Sequence, residues 1–194
     1  KLVSLEGTTS AQVHNVQFHG ITFKHDNWTA VNNYGYVDVQ GGFVIQTAAG
    51  ANLSDLHNNA RFTPTSAMVS VKYANNIRAE RNIFTLGASW GIMEFAGSHH
   101  NMYMGNSFSK LASGAIIIGN TIEPCGWTNM PTGTGSYDLI SNNLVDSVAY
   151  YYRDAVGIDA LKVKNVNIEY NEVRNLPYSG ISIGFEWNDT GAQD

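Results

Sequence analysis

The feature that most restricts this fold is a repeat: NNIRAERNIF (75–84), HNMYMGNSF (100–108), YDLISNNLV (137–145) and KNVNIEYNEV (164–173) share one frame. Each has a polar start, an alternating strand, an asparagine, and an apolar residue two places later. The anchors are Asn82, Asn106, Asn143 and Asn171, and each precedes a further strand: WGIMEF (90–95), GAIIIG (114–119), VGIDAL (156–161) and SGISIG (179–184). Anchor spacings of 24, 37 and 28 residues are too irregular for a propeller or a leucine-rich array. They suit a solenoid whose strands stay in place while its turns accept insertions. HNVQFHGITF (14–23) reads as an earlier coil. The expectation is an all-β, right-handed parallel β-helix of about five coils, forming one domain over residues 1–194, with successive coils ~4.8 Å apart. The four asparagines should then stack, their amides satisfying turn backbone and one another.

Composition agrees with a chain of short strands and tight turns. With 19 Gly and 21 Asn, about a fifth of the residues are those that best tolerate a left-handed backbone. No long segment shows the 3.6-residue apolar period of an amphipathic helix. Only 14% of residues are charged and the net charge is -5, which argues against disorder by charge excess and against a basic nucleic-acid surface. No apolar run is long enough for a membrane span, and KLVSLEGTTS lacks the apolar core of a signal peptide. The single Cys125 excludes an intrachain disulfide framework and a zinc site built from several thiolates. No metal centre is expected from His99 and His100, which as strand neighbours point to opposite faces. Calcium requires only carboxylates and turn carbonyls, so the sequence leaves it open.

Two insertions interrupt the coils, near 24–66 and 120–136, and loops on a rigid scaffold are where sites concentrate. Both are expected to project from one flank and frame a cleft. Strand alternation then locates outward positions. In GISIG, Ser182 faces out; in GIDAL the same register puts Asp159 outside and exposed. Reading Met93 and Phe95 as inward makes Glu94 outward, because the other register buries a carboxylate without a partner. One outer column would run Glu94, Ile117, Asp159, Ser182. Glu94 and Asp159, two coils apart, would approach the carboxyl separation of about 6.5 to 9.5 Å used in inverting glycoside hydrolysis. Asp154 is the other candidate acid, in a turn that also supplies Arg153 and Tyr151; Arg153 would keep a carboxylate ionised. Trp127 and Trp187 offer apolar faces for sugar rings.

LVSLEGT, VHNVQFHGITF, the Asn-anchored coils, AVGI and NLPYSGISIGFEW together resemble bacterial right-handed parallel β-helix repeat proteins. These include glycoside hydrolases of the β-helix lacto-N-biosidase, fucosidase and xylosidase types. The resemblance spans nearly the whole chain and implies a secreted or surface-bound protein, with this chain as an internal piece of a longer one. It carries over no catalytic residue. The expected function is a glycoside hydrolase acting on oligo- or polysaccharide through a carboxyl pair, without a cofactor. The alternatives are a non-catalytic glycan-binding or structural solenoid, and a polysaccharide lyase, which the scarcity of Lys and Arg disfavours. Open coil ends call for covering by the rest of a longer chain or by self-association.

Overall fold

A computed structural model of the chain describes residues 1–29, 35–37, 40–41, 43–46, 61–119, 136–161 and 163–184. All regular structure among them is β. Three parallel sheets run the length of the molecule, each with its strands in chain order. The first has six strands: Val3–Glu6, Ala67–Lys72, Trp90–Phe95, Ile116–Gly119, Ile158–Leu161 and Ile181–Ile183. The second has five: Gln17–His19, Arg78–Glu80, Met102–Met104, Leu139–Ser141 and Asn167–Glu169. The third also has five: Thr22–Lys24, Ile83–Gly87, Ser107–Leu111, Leu144–Asp146 and Glu172–Arg174. Visiting the sheets in rotation makes five coils and a sixth strand on the first sheet, which is the expected parallel β-helix.

The asparagine ladder forms as predicted, in the corner between the second and third sheets. Asn82, Asn106 and Asn143 each donate from backbone N and from Nδ2 to Oδ1 of the next asparagine, at 2.9–3.0 Å. The Ile21 amide donates to Asn82 Oδ1 at 2.9 Å, extending the ladder to the first coil. Each Nδ2 also donates to a strand carbonyl one coil earlier, of Phe18, Ala79, Tyr103 or Ile140. A donor and an acceptor on one planar amide are what this corner requires, and asparagine is short enough to supply both.

The corner residue before each rung has a left-handed backbone: Gly20, Arg81, Gly105, Asn142 and Tyr170, with φ between 54° and 69°. A second left-handed column, Asn15, Asn76, His100, Tyr137 and Asn165, precedes the second sheet. Composition anticipated these corners only in part. Arginine and tyrosine occupy some because the ladders above and below over-determine the backbone.

Inside the coils, Phe23, Phe84 and Phe108 stack at 4.8 and 4.7 Å between ring centroids, the interstrand spacing itself. Ile92, Ile116 and Ile158 line the interior from the first sheet. The first insertion adds an antiparallel sheet of Gly35–Val37, Phe43–Gln46 and Arg61–Pro64. It leaves after the third-sheet strand Thr22–Lys24 and returns into Ala67–Lys72; the second leaves after Ile116–Gly119 and returns at Ser136. The first therefore joins the start of a first-sheet strand and the second departs from the end of one. Apart from Ser136, the second lies outside the described residues.

Replacing Asn106 with Ala removes both functions of a buried rung. We expect a loss of about 3 kcal/mol, or about 6–12 °C in Tm, by calorimetry. Asn167→Ala, on an exposed strand position, should stay within about 0.5 kcal/mol; equal effects of the two would show that the ladder does not hold the coils in register.

Candidate functional site

Strand pairing decides where the candidate acids point. Met93, Ile117, Asp159 and Ser182 are successive partners across the first sheet, whereas Glu94 is in register with Ile118, Ala160 and Ile183. The second column faces the interior. Glu94 is thus an inward residue, correcting the outward assignment, and it lies on the opposite face of the sheet from Asp159. The two cannot flank one substrate bond. The expectation failed because Glu94 does have an interior partner: the Tyr103 hydroxyl, from the second sheet, donates to its Oε2 at 2.6 Å.

Asp159 does point away from the coil interior, yet it is 0% exposed, correcting the expectation of an open groove along this sheet. The outer face is a second apolar core, in which Trp90, Met93, Phe95, Ile117 and Leu161 are buried. Part of the first insertion is laid over it. Trp90 Nε1 donates to the Gly41 carbonyl at 2.6 Å, as does Thr65 Oγ1 at 3.1 Å. Gly41 has φ +74°, and a Cβ there would meet Ala155 Cβ and Ser113 Oγ at 2.8 Å, so the close approach requires glycine. Simple alternation assumed that outward means wet; a covering segment removes that equivalence.

Gln40, beside this glycine, links two candidates. Its amide donates to the Asp154 carbonyl at 2.9 Å, and its side-chain Oε1 lies 3.4 Å from Ser182 Oγ, on the residue paired with Asp159. Neither carboxyl oxygen of Asp159 meets hydrogen-bond geometry with a partner, although the Ser182 hydroxyl and Ala160 amide lie close by. Burial pushes its pKa up to about 8, those two groups opposing the shift. Loss of solvation thus favours the protonated form of Asp159.

Asp154 is half-buried, and burial raises its pKa as well. Arg153 is exposed and makes no ion pair with Asp154. Tyr151 is 63% exposed; its ring meets Tyr152 edge-on at 5.1 Å, and Tyr152 meets Trp28 at 5.8 Å. The turn is pinned where the Tyr152 amide donates to the Ala112 carbonyl at 2.8 Å. One corner thus combines a buried acid, a half-exposed carboxyl, an amide and an aromatic surface. Gln40 was not singled out from the sequence; Trp28 and Tyr152 fall within its available signal, an aromatic-rich insertion and a run of three tyrosines. Trp127 and Trp187 lie outside the described residues. Among the described residues no three His, Cys, Asp or Glu side chains gather as a metal site.

A separate groove of ≈ 520 Å³ opens on the outer side of the second sheet. Met102 and Leu139 line it beside Arg78 and Asn76, and His100 stacks on Tyr137 at 4.8 Å. Tyr137 is 54% exposed.

The raised pKa of Asp159 gives a signed prediction. The folded state keeps a proton that the unfolded chain releases near the ordinary value of 3.8, so this stabilisation is complete below that value and is lost as pH rises towards about 8. The slope is at most about 1.4 kcal/mol per pH unit. Asp159→Asn should flatten the fall in Tm between pH 5 and pH 8, measured by thermal unfolding; an unchanged slope would mean that Asp159 is ionised throughout.

No family model matches the chain, and no curated protein matches it. Among solved structures it is similar to a glycoside hydrolase, with 27% identity and a TM-score of 0.79 over 96% of this chain and 34% of the other. The chain spans about a third of the length of that glycoside hydrolase.

Proposed function

We propose that this chain is the β-helix of a carbohydrate-active protein, a glycoside hydrolase in which Asp159 and Asp154 are the carboxyl pair. The observation that carries the reading is its likeness to a glycoside hydrolase along almost its entire length. The corner around Gln40 supplies chemistry of the required kind. A general acid must hold a proton at working pH, and burial keeps one on Asp159. The second carboxyl must be accessible, and Asp154 is half-exposed. Tyr151 presents an apolar ring face with a polar tip, suited to a pyranose. Because Asp159 is buried, proton transfer to a glycosidic oxygen requires that the corner open as substrate enters. A glycan substrate also fits a secreted or surface location.

A second reading, glycan binding without turnover, is favoured by the enclosure of Asp159 together with the open groove beside Tyr137.

Hydrolysis of neutral and uronate-containing oligosaccharides, followed by release of reducing ends, tests the first reading. Asp159→Asn and Asp154→Asn should each lower kcat/KM by about 10²-fold or more, with Tyr151→Ala acting chiefly on KM. Undiminished turnover in Asp159→Asn removes that residue from the mechanism. Binding without turnover, weakened by Tyr137→Ala, would establish the second reading, and neither binding nor turnover would sink both.

A further inference from the structure

A second, shorter ladder lies in the corner before the second sheet. The residues preceding its strands are Val16, Ile77, Asn101, Asp138 and Val166, stacked by strand register. The Ile77 amide donates to Asn101 Oδ1 at 2.9 Å, and the Asn101 amide donates to Asp138 Oδ1 at 2.8 Å. Asp138 therefore occupies a rung that the other ladder fills with asparagine at four successive positions. It supplies the same acceptor. Where asparagine would present its Nδ2 donor, Asp138 presents Oδ2, which has no hydrogen-bond partner.

That oxygen meets another acceptor. Glu94 and Asp138 face each other across the coil interior, and Glu94 Oε1 is likewise without a donor. Both residues are buried, at 0% and 1% exposure. The groups facing the pair are the Tyr103 hydroxyl, which donates to Glu94 Oε2, and the Asn101 side-chain amide; neither carries positive charge. Two bare carboxylates in contact and out of water would repel, and the uncharged donors beside them, Tyr103 and Asn101, bring no positive charge against that repulsion.

We propose that Asp138 is protonated in the folded protein, its Oδ2–H donating to Glu94 Oε1, so that a neutral carboxyl stands in for an asparagine rung and makes closure of these coils proton-dependent. One proton satisfies both orphan oxygens, with no other group changing its proton. Burial and the neighbouring Glu94 charge both raise the pKa of Asp138, in keeping with this geometry. The device is independent of any activity at Asp159 and does not rest on the carbohydrate reading. Its sign follows from linkage. The unfolded chain releases this proton in the ordinary carboxylate range and the folded protein does not, so the contribution is complete below that range and declines as pH rises towards the folded pKa.

The experiment follows the Asp138 Cγ chemical shift by NMR as pH is raised, with thermal unfolding of Asp138→Asn measured in the Asp159→Asn background to remove the other buried acid. We expect Asp138 to remain protonated at pH 7. Asp138→Asn, which carries its donor at every pH, should match the parent near pH 4.5 and exceed it in Tm by several degrees near pH 9. A Cγ titration in the ordinary carboxylate range would overturn the proposal, whether or not the variant folds. So would parallel Tm curves of variant and parent over the same interval.

Discussion

Parallel pairing between equivalent residues of successive coils is the constraint on which the rest of this molecule depends. Such pairing leaves the corners, not the strands, as the difficult places, because there the backbone turns and its amides lose strand partners. The run from Ile21 through Asn171 answers this with side-chain amides that accept from the corner below and donate to the strand beside it. The resulting register is tight enough to hold Arg81 and Tyr170 in a left-handed conformation. It also aligns Phe23, Phe84 and Phe108 into one interior stack.

The first sheet differs from the other two because it is apolar on both faces. Its inner side joins the coil core, and its outer side meets Gly41 of the first insertion, whose carbonyl accepts from Trp90. This second core anchors the insertion, and the candidate site follows from it. Gln40, carried in by the covering segment, reaches both the Asp154 turn and Ser182. Asp159, paired with Ser182 in this corner, is out of water. Burial raises its pKa and at the same time restricts access, so acid strength and substrate entry are coupled.

Buried carboxyls recur here without cations. Glu94, Asp138 and Asp159 are all held above their ordinary range by loss of solvation. Asp146, nearer the surface, behaves differently: Asn175, Ser147 and Arg174 donate to its carboxyl and hold it low. A protein arranged this way draws stability from protons in its interior and loses it as pH rises.

The solenoid was legible in the sequence because its causes are local and repeated: Asn82, Asn106, Asn143 and Asn171 mark the same corner, and an apolar residue follows each by two. The outward direction of Asp159 was legible too, since alternation is a property of the strand. Whether it is wet was not, because the outer face of this sheet is covered by parts distant in sequence, such as Gly41 on Trp90. The direction of Glu94 failed for a related reason. WGIMEF is buried along its entire length, so polarity does not indicate which side faces in, and the partner that makes an inward Glu94 tolerable is Tyr103 on another sheet. Periodicity specified which residues stack along the axis. Only the closed coil, bringing three sheets and an insertion face to face, decided which polar groups meet inside.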